Sequence, residues 1–333
     1  MKTIEASGVK AIFVRTGFYE APENLAAEEL LLKDRTGEYL LIYENNPCVV
    51  VGKYQNIYEE VRLPYTEPNG VPVYRRESGG GAVYHGKGNI NFSFIGPAGD
   101  EPQQRYDEAT GWIVSALNSI GIPAYVRGAC DIVLKDGKTG TEKKISGSAQ
   151  CVKSGRSLVH GTLLYNADIE ALRASLSPPS GTYTSRAIKS RKSPVSNIYP
   201  LFCRASTDEF ITHLCEFIPH LEEYSFTSEE KYTISELVSS KYRDEGFIFG
   251  MSPKCVFNNR VEISGGVFTS HITVEKGIIM NADIFWSKEP AHSAAVVTAL
   301  TGRPYRFESC VHALSEVFPD DSELCLLLAH EMI

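Results

Sequence analysis

Residues Arg75 to Phe94 read RRESGGGAVYHGKGNINFSF, a pattern that predicts a strand, a glycine-rich loop and further strands. Three successive glycines cost backbone entropy, so they are expected where the backbone must approach something closely. Exposed N–H groups in such a loop form a nest that suits a ligand carbonyl or a phosphate. A glycine-rich hairpin with a solvated basic edge is the alternative. Because neighbouring side chains on an extended segment point in opposite directions, we expect one of Arg75 and Arg76 to face a pocket and the other solvent.

A second informative segment lies about 70 residues further on, as KKISGSAQ (Lys143 to Gln150) and VHGTLLYN (Val159 to Asn166). Small residues let a flat or narrow ligand lie against a sheet, and Lys144 just before them supplies a positive charge. That charge suits a phosphate and also the oxyanion that develops in acyl transfer. The alternatives are a surface lysine at a strand end and, for His160, a half-buried strand histidine with satisfied hydrogen bonds.

Length and composition set the broad class. The chain has 333 residues, which favours two domains, and its net charge of −8 argues against a nucleic-acid partner. Its apolar runs are too short for a membrane span, and the N-terminus lacks the features of a signal peptide. The eight cysteines are scattered without a CxxC pair, so we expect a reducing cytoplasm and no structural zinc site.

The order of predicted elements favours an α+β fold, with a large mixed domain followed by a small one. A capping box at Ser206 and Glu209 predicts a helix start, residues 177–196 are too polar to pack and predict a mobile loop, and a break near 244–253 precedes the small unit. The remaining predicted elements are a helix at 23–32, a pair of strands at 40–43 and 48–51, a helix around 112–120, strands at 125–126, 131–134, 157–165, 260–274 and 278–285, and helices at 290–301 and 321–332.

Taken together, RRESGGG, KKISGSA and VHGTLL, in that order and at these separations, resemble the lipoate–protein ligase family, the type that forms a lipoyl adenylate. Other segments that resemble the family are ENLAAEELLL, NPCVVVGKYQN, GNINFSF, IKSRKSPVSN and ITVEKGIIMNADIF. The resemblance implies a large mixed α/β domain of the biotin/lipoate ligase type at residues 1–245, and a small C-terminal α/β accessory domain at 251–333.

The resemblance also implies an activity. ATP, with Mg²⁺, would convert lipoate (or octanoate) to an acyl adenylate. The acyl group would then pass to a specific lysine of an apo lipoyl carrier domain, either from a 2-oxoacid dehydrogenase E2 or from a glycine cleavage H-type protein. We expect a cytoplasmic monomer with neither a nucleic acid nor a membrane as partner.

Site residues follow from the same resemblance. Lys144 is the predicted catalytic residue, holding both the acyl carbonyl and the α-phosphate oxygen, and Asp131 is a predicted metal ligand through its hard oxygen. A strand-start turn carboxylate is the alternative for Asp131. The predicted lipoate- and ATP-binding residues are Arg76, Ser78, Gly79, Gly80, Gly81, His85, Asn89, Ser146, Gly147, His160, Gly161 and Lys189.

The chain departs from the family pattern at four places. Gly86 follows His85 where the family has Asp, Cys130 precedes Asp131 where it has Asn, Pro194 replaces a frequent arginine, and GFIFGMSP lacks a tryptophan. These departures bear on metal coordination, adenylate retention and carrier choice.

Two other functions stay open at this stage. A lipoyl or octanoyl amidotransferase would use a cysteine thioester, for which Cys130 and Cys151 are candidates. A non-catalytic lipoate- or carrier-binding protein is the other, with the departures as its support. A biotin ligase is disfavoured because its GRGRxG-type loop is absent.

Overall fold

The computed structural model describes residues 11–33, 36–128, 130–135, 140–177, 181–190, 193–199, 205–217, 220–263 and 265–333. The strands are β1 Ala11–Val14, β2 Tyr39–Glu44, β3 Cys48–Val51, β4 Val73–Arg75, β5 Val83–His85, β6 Asn89–Pro97, β7 Ala124–Arg127, β8 Asp131–Lys135, β9 Glu142–Lys153, β10 Arg156–Leu164, β11 Thr182–Ser185, β12 His220–Tyr224, β13 Cys255–Ile263, β14 Gly266–Glu275 and β15 Ile278–Trp286. The helices are α1 Ala21–Lys33, α2 Ile57–Glu60, α3 Leu63–Thr66, α4 Pro102–Ser119, α5 Ile169–Ser175, α6 Thr207–Glu216, α7 Ser228–Leu237, α8 Glu245–Ile248, α9 Ser293–Leu300, α10 Phe307–Val317 and α11 Ser322–His330, with a π-helical turn at Val238–Tyr242 and a 3₁₀ turn at Pro290–His292.

The largest sheet has the strand order β12-β1-β2-β6-β10-β9-β8-β7 among the described residues. Helices cover both of its faces, which explains why β2 is apolar at every position from Tyr39 to Tyr43. Leu40 and Ile42 join the core beneath α4 and α6, whereas Leu41 joins the core beneath α1 and α7. A strand buried on both faces reads as a continuous apolar run because neither set of alternating side chains meets water.

A three-stranded sheet of order β4-β3-β5 carries the glycine-rich loop, which connects β4 to β5. The predicted pairing of the strands at 40–43 and 48–51 is wrong, because β2 pairs with β1 and β6 whereas β3 pairs with β4 and β5. The Asn-Asn-Pro turn between them therefore carries the chain from one sheet to another. A turn signal indicates only that the chain reverses. The chain reverses both when two strands pair with each other and when they enter different sheets, so the local sequence does not distinguish the two cases.

The C-terminal region contains the sheet β11-β13-β14-β15, with α9 packed against β15 and α10 packed against α9 and α11. The strand predicted at 260–274 is instead a hairpin, β13 and β14, with Gly265 at a φ of +78° in its turn. Helix α10 was not predicted. Residues of this region share one apolar core with β3 and α2, through Val49 and Ile57. The division into domains 1–245 and 251–333 stays a prediction.

Other local predictions are confirmed. The helix at 23–32 is α1, and the capping box at Ser206 and Glu209 begins α6, with both reciprocal hydrogen bonds present. None of the helices within the described ranges has the length and apolar character needed to cross a membrane.

Candidate functional site

Two adjoining cavities lie between the glycine-rich loop and the large sheet. The first cavity encloses about 600 Å³ and the second about 490 Å³. Lys144 and Gly147 line both, together with Ala82, Val83 and Thr162. Of the predicted site residues, the first cavity gathers Arg76, Gly80, Gly81, His85, Asp131, Lys144, Gly147, His160, Gly161 and Lys189, and the second adds Ser146.

Lys144 lies within β9, near its start. Its Nζ is 2.7 Å from Oδ1 of Asp131. The backbone of Lys144 pairs with residues 194–196, since its N–H donates to the carbonyl of Pro194 at 2.9 Å and its own carbonyl accepts from Ser196 at 3.0 Å. A Cβ at Gly147 would lie 2.9 Å from the Lys144 Nζ, so a glycine there leaves the ammonium room beside the strand. The lysine is thus held at the junction of the two cavities.

Asp131 is ionised and ion-paired in this structure. Burial opposes ionisation, but hydrogen bonds from Lys144 and Arg127 lower the pKa of the Asp131 carboxyl below its ordinary value. The Nη2 of Arg127 lies 3.0 Å from Asp131 and also donates to the Ser193 hydroxyl at 2.9 Å. Arg127 therefore joins the carboxylate to residues 186–196, which we call the basic loop.

The side chains available as metal ligands test whether the predicted Mg²⁺ fits this site. The part of the chain that the structure describes holds no group of three or more His, Cys, Asp or Glu side chains that could bind a metal. Asp131 offers one carboxylate at the wall of the first cavity. When Mg²⁺ is bound together with a nucleotide, the protein usually supplies one or two carboxylates, and phosphate oxygens and water complete the coordination shell. A single carboxylate at this wall fits an ion bound in that way.

Arg76 organises the glycine-rich loop from inside. Its guanidinium donates to the carbonyls of Gly79 and Gly81 at 2.6 and 2.8 Å, to the carbonyl of Val50 at 3.1 Å, and to the Ser78 hydroxyl at 2.9 Å. Burial lowers the pKa of Arg76 to about 10, which leaves it cationic at neutral pH. The charge behind the loop is consistent with the predicted anion site.

Arg75 does not face solvent, so this expectation is wrong. Its side chain is fully buried and donates to the carbonyls of Gly52, Gln55 and Ile248 at 2.8–2.9 Å, and to the Ser252 hydroxyl at 2.9 Å. The alternation of side chains along the strand was predicted correctly. The outward side of this strand is covered by the chain around residue 248, which the local sequence does not reveal.

Ser78, His160 and Glu28 form a hydrogen-bonded chain behind the first cavity. The Ser78 Oγ lies 2.6 Å from Nε2 of His160, whose Nδ1 lies 3.0 Å from the Glu28 carboxylate. Burial favours the neutral acid, yet His160 and hydrogen bonds from Ser93 and Tyr43 hold the pKa of Glu28 below its ordinary value. Both ring nitrogens of His160 are thereby engaged by protein groups, so this histidine shapes the wall rather than offering a free base.

His85 is held by a different chain of hydrogen bonds. Asn24 donates its amide to Oδ1 of Asn45 at 2.8 Å, which turns Nδ2 of Asn45 toward Nδ1 of His85, also at 2.8 Å. Burial, with the charge of Arg76 nearby, lowers the pKa of His85 to about 3. A neutral ring that accepts at Nδ1 carries its proton on Nε2. His85 is therefore a neutral hydrogen-bond donor in the wall of the first cavity.

The described part of the basic loop is already in contact with the site. Lys189 pairs with Glu59 at 3.0 Å. The Ser190 hydroxyl accepts from the backbone N–H of Ala82 at 2.9 Å and from the side chain of Gln55 at 3.0 Å. Arg191 and Lys192, predicted to belong to this loop, lie outside the described residues.

Three predicted site residues do not line either cavity. Ser78 and Gly79 lie behind the wall, where they bind His160 and Arg76. Asn89 is fully buried and donates to Asn91 at 3.2 Å. Their contacts support the site from outside the space a ligand would fill.

Of the two candidate nucleophiles, only Cys130 lines a cavity. Its side chain is exposed, whereas Cys151 is half-buried and burial raises the pKa of its thiol. A raised thiol pKa disfavours the thiolate that a thioester mechanism needs.

Sequence reasoning missed several residues of the site. Glu28 and Asn45 lie in segments that were assigned only to a helix and a turn. Arg127 ends β7, one residue beyond the strand predicted at 125–126. The Glu60 carboxylate joins α2 to the basic loop by accepting from the backbone N–H of Ser190 at 2.8 Å. A pair of glutamates between two apolar runs in ENLAAEELLL was the available signal, because a buried carboxylate needs hydrogen-bonding partners.

Comparison with known proteins agrees with this arrangement. The family model described as the lipoyl protein ligase A/B catalytic domain matches residues 20–218. Lipoate-protein ligase LplJ of Bacillus subtilis (strain 168) is 37% identical over 271 residues, covering 79% of this chain and 80% of the relative. The bi-partite lipoate protein ligase of Thermoplasma acidophilum, described with its E2 lipoyl domain, has a TM-score of 0.64 at 25% identity, covering 73% of this chain and 97% of that one. A lipoate-protein ligase A bound with ATP has a TM-score of 0.60 at 26% identity, covering 73% and 100%.

The predicted fold class is confirmed: a large mixed α/β domain of the ligase type with a small C-terminal unit of helices and sheet. The chain belongs to the lipoate–protein ligase family, so the prediction of a ligase is also confirmed.

Proposed function

We propose that this protein activates lipoate, or the related octanoate, with ATP and transfers the acyl group to a lysine of a carrier domain. The observation that carries the proposal is the position of Lys144, whose side chain lines both cavities. A cation between two adjoining cavities can neutralise a carboxylate that enters from one and a phosphate that enters from the other. Adenylate formation requires that encounter.

The first cavity suits the acyl chain. Leu25 and Val50 supply apolar wall, and His85 supplies a neutral donor. The second cavity suits the nucleotide, because Leu164, Leu172 and Leu176 offer an apolar surface for its base. The hydroxyl of Ser146 is buried there and has no hydrogen-bond partner among the residues that the structure describes. A buried polar atom left unpaired costs free energy, which a polar ligand atom would recover.

The chemistry has two steps. In the first, a carboxylate oxygen of lipoate bonds to the α-phosphorus of ATP, and the bond from that phosphorus to pyrophosphate breaks. In the second, the acceptor amine nitrogen bonds to the acyl carbonyl carbon, AMP leaves with the bonding electrons, and the amine loses a proton. Lys144 orients the two reacting groups and stabilises the charge that develops on them. Mg²⁺, when bound with ATP near Asp131, would supply further neutralisation of the phosphates.

The carrier is proposed by chemical class. The archaeal relative is described with its E2 lipoyl domain, which supports a lipoyl carrier domain as the acceptor here. A 2-oxoacid dehydrogenase E2 domain and a glycine cleavage H-type protein are the two candidate sources. The predictions of a monomer and of a cytoplasmic location also stay proposals.

Pyrophosphate release tests the assignment. We expect release with ATP and lipoate together, and none with either alone. Incubation with each apo carrier should then add the lipoyl mass to one lysine of the true acceptor, as read by mass spectrometry. No pyrophosphate release with lipoate or octanoate would refute the ligase proposal.

A second candidate function rests on the exposure of Cys130 at the first cavity. An amidotransferase would carry the acyl group on this thiol as a thioester, without ATP. We expect Cys130→Ser and Cys151→Ser each to keep substantial ligase activity, because an acyl adenylate is already activated for attack by an amine. A thiol-linked acyl adduct on the wild type that is absent from Cys130→Ser would favour the amidotransferase.

A further inference from the structure

The side chains of Arg75 to Ser78 alternate between two sets of partners. Arg76 and Ser78 face the glycine-rich loop and His160, as described above. Arg75 and Glu77, which alternate with them, both bind the chain that leads to the C-terminal unit. We call residues 238–252 the linker segment. Side chains on one side of this stretch therefore shape the first cavity, and those on the other side hold the linker segment.

Glu77 belongs to a network of alternating charges that connects the glycine-rich loop, the linker segment and α1. Its carboxylate binds Nζ of Lys241 and, at 2.9 Å, Nζ of Lys53. Lys241 also binds the Glu29 carboxylate at 2.7 Å, and Glu29 lies 3.4 Å from Lys33. The ammonium of Lys241 is thus shared by one carboxylate from the glycine-rich loop and one from α1. Although burial opposes ionisation, hydrogen bonds from Lys241 lower the pKa values of both Glu29 and Glu77.

The backbone around Lys241 is specialised for this contact. Residues Val238–Tyr242 form a π-helical turn, closed by the N–H of Arg243 to the carbonyl of Val238 at 2.9 Å. Lys241 and its neighbour Tyr242 both reach the same oxygen of Glu29, at 2.7 and 2.8 Å. Such π-helical turns are frequent at functional sites. The Lys241 ammonium also lies 5.1 and 5.0 Å from the ring centres of Tyr242 and Phe247.

Helix α1 connects this contact to the wall of the cavity. Adjacent residues Glu28 and Glu29 point to different partners, with Glu28 holding His160 and Glu29 holding Lys241. Glu77 is likewise adjacent to Ser78, which binds the other nitrogen of His160. Both carboxylates that hold Lys241 are therefore next in sequence to the groups that orient His160.

We propose that Lys241 is a positioning residue, which holds the glycine-rich loop and α1 in the geometry that binds the acyl substrate. Its ammonium binds Glu77 and Glu29 and acts through them. Without its ammonium, the buried Glu29 carboxylate and the largely buried Glu77 carboxylate each lose one positive partner, so Glu77 turns away and the loop beside it loosens. The expected change in KM rests on the proposed function, whereas the expected loosening of the glycine-rich loop does not.

The test compares Lys241→Met with Lys231→Met, which removes one exposed lysine from the neighbouring helix α7. For Lys241→Met we expect the KM for lipoate in pyrophosphate release to rise about tenfold or more, with kcat changed less than threefold. Hydrogen exchange of the peptide spanning 76–82 in the free protein should quicken. Lys241→Arg should restore both, and Lys231→Met should match the wild type. Equal KM and equal exchange in Lys241→Met and Lys231→Met would overturn the proposal.

Glu77→Gln provides an independent arm should Lys241→Met fail to fold. It keeps the side-chain shape and removes the charge that Lys241 binds, so we expect the same rise in KM and the same faster exchange. Where both variants fold, the double variant should show little more than either single one, because coupled residues are not additive. Wild-type protein without pyrophosphate release would refute the ligase proposal, while the exchange comparison in the free protein still decides the role of Lys241.

Discussion

Among the residues of the site, Lys144 is the one whose substitution we expect to impair the proposed reaction most. Lys144→Ala removes the ammonium at the junction of the two cavities, so pyrophosphate release should fall by roughly 10²-fold or more. Lys143→Ala is the matched control, since its side chain lies on the opposite face of β9 and lines neither cavity. Retention of most activity by Lys144→Ala would contradict the role assigned to this lysine.

His85 should make the protein sensitive to mild acid. Burial lowers its pKa to about 3, from an ordinary 6.5. Below pH 6.5 the unfolded chain therefore binds a proton that the folded protein does not, so the free energy of unfolding declines as the pH falls toward 3. Between pH 7 and 5.5 this residue should cost about 1 kcal/mol.

Urea unfolding at the two pH values measures this effect. We expect His85→Gln to show a smaller difference between pH 7 and 5.5 than the wild type. His312→Gln, which alters an exposed histidine of α10, should leave the wild-type difference in place. An unchanged pH dependence in His85→Gln would show that His85 is not held neutral by the fold.

At the scale of the element, the glycine-rich loop owes its path to both backbone freedom and close packing. Gly80 has a φ of +85°, and a Cβ there would lie 3.0 Å from Nη2 of Arg76 and 3.2 Å from Cβ of Ala149. Gly80→Ala should therefore strain the backbone by about 1–2 kcal/mol and also displace Arg76. We expect lipoate affinity, measured by calorimetry, to fall roughly tenfold or more in a folded protein.

Gly70 separates these two effects. Its φ of +63° carries a similar backbone strain, but nothing lies within 4 Å of a Cβ at this position. Gly70→Ala should lower stability by a similar amount and leave lipoate affinity unchanged. Equal affinity in Gly80→Ala and the wild type would reduce the loop to a turn with no part in binding.

At the scale of the whole molecule, the basic loop joins the two parts of the chain. It begins after β11, which pairs with β13 of the C-terminal sheet, and it ends where residues 194–196 pair with Lys144. Arg75 binds the linker segment at Ile248 and Ser252. A movement of the C-terminal unit that admits a carrier would therefore change both the loop and the linker segment.

This predicts a concerted response to the intermediate. A non-hydrolysable mimic of lipoyl-AMP should protect residues 182–196 from trypsin and slow their hydrogen exchange, because a closed loop excludes water from the adenylate. Exchange in Gly246–Pro253 should change at the same time. Peptides of α10 serve as the control and should exchange as before. Identical cleavage and exchange with and without saturating mimic would refute loop closure and leave the ligase proposal standing.

The amino-acid sequence by itself determined the main elements of this protein and the family to which it belongs. The capping box of α6, the apolar run of β2 and the glycine pattern of residues 79–81 are local signals, and local backbone physics is enough to interpret them. Several residues that were taken from the family resemblance line one cavity in the structure, namely Arg76, His85, Lys144, His160 and Lys189. The roles of these residues stay predictions.

Only the tertiary structure decided which partners the charged and polar side chains meet. Sequence alternation separates Arg75 from Arg76, yet it cannot tell that the face of Arg75 is covered by residues 247–252, about 170 positions away. The pairing of β3 with β4 and β5, the contact of Glu28 with His160, and the sharing of Lys241 between Glu29 and Glu77 have the same origin. Hydrogen bonds and ion pairs act over a few ångströms, so their partners depend on how distant segments pack, and no local pattern records that packing.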